Sequence, residues 1–372
     1  MGVLALDIGA TKFAAAVLPI RRRTSARAAS AAHTPAIEVV SVPRVNTDAS
    51  LPGETADLRP DATGSSSVAP AAPPAQVPGA GSESLLRHLR RIDVPKRGVW
   101  DACRELLARV VETASADDGR FEVTSVGIAA AGPVDVHTGS TAPLNIPEWR
   151  DGFGIVAAVR ELFPRADIHF AIDGAALALA EYRLGGLRGV RSGLAMTVSS
   201  GIGGGIISDG RVLFGRTGNA GHVGHIVVPG RDVPCACGGT GCVEAVASGM
   251  SSVRWAREQG WTGSTGAELA HDANTGNRTA IAALTRAGTA LGQAISSAAA
   301  TLDLDRVVVG GGFAESGPSL WNPLHEAVSR HARLSFTRTL QVTKSEITHG
   351  ATLVGAALLA DPGENAPAAS VE

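Results

Sequence analysis

GLAMTVSSGIGGGIIS, residues 193–208, is the stretch that decides the fold. Gly193–Val198 is a short apolar run of strand composition. It breaks at Ser199-Ser200-Gly201-Ile202-Gly203-Gly204-Gly205 and resumes as a second apolar run, Ile206–Ser208. Glycine reaches backbone conformations closed to other residues, so the pattern reads as strand, glycine turn, strand. The N-terminus repeats the plan. In VLALDIGATKFAAAVL, residues 3–18, the runs Val3–Asp7 and Phe13–Leu18 are joined by Ile8-Gly9-Ala10-Thr11-Lys12. Two hairpins of one design imply a duplicated α/β fold of two halves with a central cleft between them.

Outward from these hairpins, a third strand is expected at Ile37–Val42. Val99, Ala102, Cys103, Leu106, Leu107, Val110 and Val111 recur with helical period. A strand is expected at Ser125–Ala129, then strand, tight turn at Asp173-Gly174 and alanine-rich helix over Phe170–Leu187. A buried strand over Val307–Gly312 enters a third glycine turn, and a helix is expected over Thr348–Ala360. Between Asp48 and Gly81 the chain is mostly Pro, Ala, Ser and Gly, too poor in large apolar groups to offset its ordering entropy, and reads as a disordered insertion. The expected organisation is an N-terminal domain over 1–134 carrying the 48–81 insertion, and a C-terminal domain over 135–346. A helix over 347–362 returns to the first domain, followed by a tail over 363–372.

Bulk properties narrow the function. At 372 residues the chain exceeds one ordinary core, and a net charge of −2 gives no drive towards nucleic acid or membranes, which leaves small molecules as the default partners. The basic run Arg21–Arg23 reads as a solvated loop. Cys103 stands apart from the other three cysteines, so no disulfide framework is visible. With neither a signal peptide nor a bilayer-spanning window, the expected location is cytoplasmic.

The turns carry chemistry. Asp7, Gly9, Thr11 and Lys12 put an acid, open backbone amides, a hydroxyl and an ammonium in one short turn, a set that suits a magnesium-bound polyphosphate. Ser200, Gly201, Gly203 and Gly204 offer further amides to phosphate oxygens at close approach. Gly311 and Gly312, before Phe313, form a third such turn, able to carry adenine and ribose. Each turn alone is also an ordinary glycine hairpin. A separate pattern, His225-x9-Cys235-x-Cys237-x4-Cys242, gathers three of the four cysteines within eight residues beside an imidazole. Three thiols and one imidazole are a closed zinc set, structural because no coordination position is left for water.

These motifs resemble the ROK family of sugar kinases and repressors, which has the actin-like ATPase (ribonuclease H-like) fold. Asp7-Ile8-Gly9-Ala10-Thr11-Lys12 is similar to its first phosphate motif. Ser200-Gly201-Ile202-Gly203-Gly204-Gly205 is similar to the second, with Ser200 where threonine is usual. Gly221 to Glu244 resembles its Glu-x-Gly-His and Cys-x-Cys-Gly-x2-Gly-Cys-x-Glu signature. The resemblance implies an ATP-dependent transfer to a sugar 6-hydroxyl with magnesium, a homodimer, and Asp173 as general base, although as sequence alone Asp173 reads first as a carboxylate capping the helix that follows. It places Gly132, Asn145, Asp173, His222, His225 and Glu244 around the sugar.

Two departures bear on specificity. Ile172 stands where the family has asparagine, and His222 where it has glutamate. Bacterial N-acetylmannosamine kinases are similar here in carrying Ala-Gly-His-x-Gly-His, as residues 220–225 do. Because histidine can donate as well as accept, His222 points towards an acetamido carbonyl, and so towards an N-acylhexosamine. A glucokinase with the same parts, a sugar-responsive regulator and a sugar-binding pseudokinase are the alternatives. No winged helix precedes Asp7 to support the regulator, and Ile172 is what keeps the pseudokinase open.

Overall fold

The computed structural model describes residues 2–9, 11–19, 86–119, 121–230, 232–347 and 349–361. The expected strand at Ile37–Val42, the run Arg21–Arg23, the 48–81 insertion and the 363–372 tail lie outside the described residues.

The chain opens with the antiparallel hairpin of β1 (Gly2–Ile8) and β2 (Lys12–Pro19). β3 (Arg87–Asp93) pairs with β2, α1 (Val99–Asp118) covers the sheet, and β4 (Val123–Ala130) returns parallel to β1. A small ribbon of β5 (Val134–Asp135) and β6 (Ser140–Thr141) and helix α2 (Ile155–Leu162) lead to β7 (Asp167–Ile172), parallel to β4. The first sheet has the order β3-β2-β1-β4-β7. It therefore extends beyond the expected boundary at 134/135.

Helix α3 (Asp173–Leu184) leads into the second sheet. There β8 (Gly193–Val198), β9 (Ile202–Ser208) and β10 (Arg211–Leu213) form an antiparallel meander. A long excursion holds α4 (Val243–Ala247), α5 (Gly249–Glu258), α6 (Gly266–Asn274) and α7 (Arg278–Leu302). Then come β11 (Arg306–Gly310), α8 (Pro318–His331), β12 (Gln341–Lys344) and α9 (Ala351–Leu359). The second sheet has the order β10-β9-β8-β11-β12, which repeats the first strand for strand. The duplication expected from the two hairpins is thus present in the topology.

Each half has its own core. In the first, Leu4, Leu6, Ile8 and Phe13 of the hairpin pack with Leu107, Ile128 and Trp149. In the second, Leu194, Met196 and Val198 pack with the apolar stripe of α7 and with Leu320 and Leu324 of α8. The alternation seen in an open antiparallel sheet is absent from β1 and β8, because helices cover both of their faces.

Glycines bring α3 and α9 against backbone. A Cβ on Gly174 would lie 1.9 Å from the Gly204 carbonyl oxygen, and one on Gly205 would lie 1.9 Å from that of Gly174. A Cβ on Gly355 of α9 would lie 1.9 Å from the carbonyl oxygen of Ala176 in α3, and one on Gly127 of β4 would lie 1.8 Å from that of Ala356. Only residues without side chains permit such approaches. Among the described residues no helix is long and apolar enough to cross a membrane.

Candidate active site

The parallel strands of both sheets deliver the chemistry-bearing residues at one kind of end. In the first sheet Asp7 pairs with Ala129, and Ala130 pairs with Ile172, so Asp7 and Asp173 leave the carboxyl ends of β1 and β7 side by side with β4. In the second, Thr197 pairs with Gly310, so Ser199–Gly201 and Gly311–Gly312 leave the carboxyl ends of β8 and β11. Ligands of open α/β sheets bind at such ends.

Asp173 is the first residue of α3 rather than part of a separate turn, so it is also the helix-start carboxylate of the alternative reading. Its Oδ1 accepts from the Gly174 amide at 2.7 Å. Burial raises its pKa from 3.8 to about 6, against the lowering effects of that amide and of His222. Asp7 is pushed up further, to about 7, by burial and then by the charge of Asp173, with Arg91 acting to lower it. A carboxylate titrating near 6 is mostly ionised at neutral pH and holds a proton better than an exposed one, as a general base requires.

Beside Asp173 stands His222. Its Nδ1 lies 3.0 Å from the carbonyl oxygen of Asn219. A carbonyl only accepts, so Nδ1 carries a proton, and Nε2 is an acceptor in the neutral ring and a donor in the imidazolium. The expected donation to an acetamido carbonyl would use the protonated ring, whereas the neutral ring would accept from a hydroxyl or an amide N–H. A Cβ on Gly132 would lie 2.8 Å from His222 Cε1 and 2.8 Å from Ile172 Cδ1, so this wall depends on a bare glycine. Ile172, buried, gives it an apolar contact where an asparagine would give a polar one.

The loop with the histidine and three cysteines adjoins this wall. His222 and His225 stack with ring centroids 5.8 Å apart. The ligand atoms of His225, Cys235, Cys237 and Cys242 all lie within 4.8 Å of one another. Cys237 Sγ and Cys242 Sγ are 3.7 Å apart, and Cys235 Sγ is 3.8 Å from His225 Nδ1. Zinc–sulfur bonds of about 2.3 Å at tetrahedral angles put ligand sulfurs roughly 3.8 Å apart, so the donor set fits that ion in chemistry and in size. Burial and the neighbouring thiols push Cys242 up to about 12, a proton affinity that a bound dication would override. Gly238 and Gly241, at φ 92 and 77, supply the turns of the loop.

Glu244 connects this loop to the glycine turn. It follows Cys242 in α4, and its Oε2 accepts from the Ile202 amide at 2.7 Å. One of its oxygens therefore braces the turn after Gly201, a contact the sequence reading did not contain. Gly203, Gly204 and Gly205 lie inside β9 rather than in a turn, and the last two are taken up by the contact with Gly174. The expected turn thus shortens to Ser199–Gly201. Thr11 and Lys12 are exposed, and Gly9 donates to the Lys12 carbonyl at 3.0 Å. Asn145 is exposed, unlike Asp7 and Asp173, whose carboxyl groups burial perturbs.

Two cavities flank these turns. One, of about 960 Å³, is lined by Ser199, Ser200, Gly312 and Phe313 and, from α5 and α6, by residues such as Arg254 and Gly266. The helical residues were not foreseen, because they carry no motif and face the cavity only through the folding of the excursion. The other, of about 270 Å³, joins Asp7 and Arg91 of the first sheet to Thr197, Gly310 and Gly311 of the second. Arg91 was missed because β3 follows the low-complexity stretch, where no pattern announces a strand.

Two like sheets, with amide-rich turns and carboxylates converging at their strand ends, define the class: this is an actin-like ATPase fold. Within that class, residues 80–362 match the ROK family, and the chain belongs to it. The glucokinase of Thermotoga maritima is 30% identical over 291 residues, covering 73% of this chain and 89% of that protein. The N-acetylmannosamine kinase of Citrobacter koseri is 32% identical over 284 residues, covering 74% and 91%. The ROK hexokinase structure from Thermus thermophilus superposes with a TM-score of 0.69 at 28% identity, covering 97% of this chain and 98% of that one.

Proposed function

We propose that this protein is an ATP-dependent sugar kinase that phosphorylates the 6-hydroxyl of a hexose or N-acylhexosamine, with Asp173 as the general base. The observation that carries the reading is the place of Asp173: a carboxylate, its pKa raised by burial to about 6, at the carboxyl end of β7, where α3 packs on the second sheet through Gly174. It would take the hydroxyl proton as that oxygen attacks the terminal phosphoryl group in line. The charge-spread transition state of that transfer needs positioning and fixed dipoles more than covalent help. The amides of Ser200 and Gly201 and those of Gly311 and Gly312 suit that task, with Thr11 and Lys12 on the facing turn. Magnesium would enter with ATP as part of the substrate, and Asp7 is the carboxylate assigned to it.

Gly132, His222 and Glu244 are assigned to the sugar. His222 Nε2 would accept from a sugar hydroxyl or amide N–H in the neutral ring, or donate to an acetamido carbonyl in the protonated one, and Glu244 Oε1 is the carboxylate oxygen not used on Ile202. We assign structural zinc to His225, Cys235, Cys237 and Cys242. When bound, the ion would cross-link the loop that holds Glu244 and His222, and the chemistry would stay with Asp173. The cavity of about 960 Å³ is the proposed seat of the nucleoside. A cytoplasmic setting and a homodimer belong to the same reading.

The two named relatives divide on substrate, and Ile172 with His222 leaves the choice between hexose and N-acylhexosamine to experiment. Coupled ADP release with glucose, mannose, N-acetylglucosamine and N-acetylmannosamine tests the proposal. Sugar-dependent ADP formation with at least one of them is expected, and ADP release indifferent to every sugar would reject it.

A further inference from the structure

Glu181 is a carboxylate with no part in the chemistry above, yet it is 1% exposed in the interior near the C-terminal end of α3. Burying a carboxylate is costly unless its oxygens are satisfied. Its Oε2 accepts from the Gly186 amide at 2.9 Å, and its Oε1 accepts from the Ser345 hydroxyl. Its backbone carbonyl accepts from the Gly185 and Leu187 amides at 3.0 and 3.1 Å, so Glu181 closes the helix with both main chain and side chain. A Cβ on Gly185 would lie 2.0 Å from Oε2, which shows how closely the turn is drawn over the carboxylate.

Ser345 is the other end of the link. It stands just after β12, its amide donates to Val309 at 2.9 Å, and its hydroxyl oxygen accepts from the Ile347 amide at 3.0 Å. A Cβ on Gly310 would lie 3.0 Å from Ser345 Cβ, so Ser345 buttresses the strand end that enters the Gly311–Gly312 turn. It also lines the cavity that holds Asp7 and Thr197. The same α3 begins with Asp173, about 12 Å away at 1.5 Å per residue.

We propose that Glu181 is a positioning residue, a buried latch that ties the helix bearing Asp173 to the Ser345 segment and thereby holds the third glycine turn in register with the base. The inference rests on the kinase reading for its kinetic consequence, but its structural consequence stands apart from it. Burial raises the pKa of Glu181, and the Ser345 and Gly186 donors act to lower it, which fits an oxygen pair matched to two donors.

Hydrogen exchange and steady-state kinetics on Glu181→Ala, Glu181→Gln, Ser345→Ala and the double alanine variant test the latch. In Glu181→Ala, faster exchange should be confined to residues 173–184, 306–312 and 345–353, with residues 266–274 unchanged. The same variant should lose about tenfold in kcat/KM for ATP while the sugar KM stays within about twofold. Glu181→Gln should recover to within about threefold of the natural protein, because its carbonyl can accept from Gly186 and its amide can donate to Ser345. The double variant should be no worse than Glu181→Ala alone, as expected for two ends of one link. Exchange that quickens equally along the whole chain, or kinetic constants unmoved at a temperature well below the unfolding midpoint, would overturn the proposal. If Glu181→Ala does not fold, Ser345→Ala decides: an unchanged kcat/KM for ATP overturns the latch. If the natural protein turns over no sugar, the kinase reading has failed, and the exchange pattern alone decides the latch.

Discussion

At the scale of single residues, the account turns on Asp173 and on the groups that set its proton affinity. Burial lifts its carboxyl from 3.8 to about 6, so between those values the native state holds a proton more tightly than the unfolded chain. The contribution of this group to stability is therefore fullest below about pH 4 and is lost as pH rises towards 6. Asp173→Asn removes that cost: it should raise the unfolding midpoint at pH 7 by an amount worth up to about 3 kcal/mol, and leave it unchanged near pH 4. Thermal melts at the two pH values check this. Under the proposed role activity runs the other way, since a general base works only when ionised: kcat/KM for the sugar should rise about tenfold per pH unit below 6 and level off above it. Gly132→Ala tests the wall at His222. The added methyl meets the imidazole and Ile172 Cδ1, and the sugar KM should rise by about tenfold or more with the melting temperature little changed. At this scale the sequence was legible where residue types cluster, as with the thiols, whose ligand atoms the fold brings within 4.8 Å of one another and of His225. It was illegible where the task depends on what faces the residue. Nothing in the sequence shows that the Asn219 carbonyl fixes the tautomer of His222, or that Glu244 spends an oxygen on Ile202.

Among elements, the hairpins and the cysteine loop were read from local pattern, because a glycine turn between apolar runs and a cluster of thiols are short-range signals. Strand β3 was missed: Arg87–Asp93 is rich in charge, lies at the edge of the first sheet, and gains its identity from pairing with β2. Gly203–Gly205 were expected in a turn because glycine is rare in strands, yet they continue β9 so that α3 can lie against it. That contact makes a prediction. Gly205→Ala or Gly355→Ala forces a methyl into a backbone carbonyl and should destabilise the fold by about 1–3 kcal/mol in denaturant titrations. The metal loop makes another. Stripping the ion with a chelator should release one equivalent of zinc and weaken sugar binding, because α4 holds Glu244 against Ile202. Elemental analysis with calorimetry of sugar binding before and after chelation measures both.

Across the whole molecule, the duplication explains why a chain with little net charge and few long-range sequence signals still announced its fold. Two sheets of identical strand order deliver turns to the same kind of strand end, and α3 and α9 pack on each other through Gly355 and Ala176. The domain boundary was placed too early because β7 looks local to α3 in sequence, whereas its partner is β4. The stretch 48–81 bears on the molecule as a whole through its composition. A variant lacking it should keep kcat and KM within about twofold, since loop closure costs grow only with the logarithm of length. The most direct measurement of the central claim follows ATP and the panel sugars by phosphorus NMR, with the natural protein and with Asp173→Asn. One sugar 6-phosphate formed per ADP, with a loss of about 10²-fold or more in the variant, is the predicted result. ADP formed without a sugar phosphate, or a variant as fast as the natural protein, would contradict it.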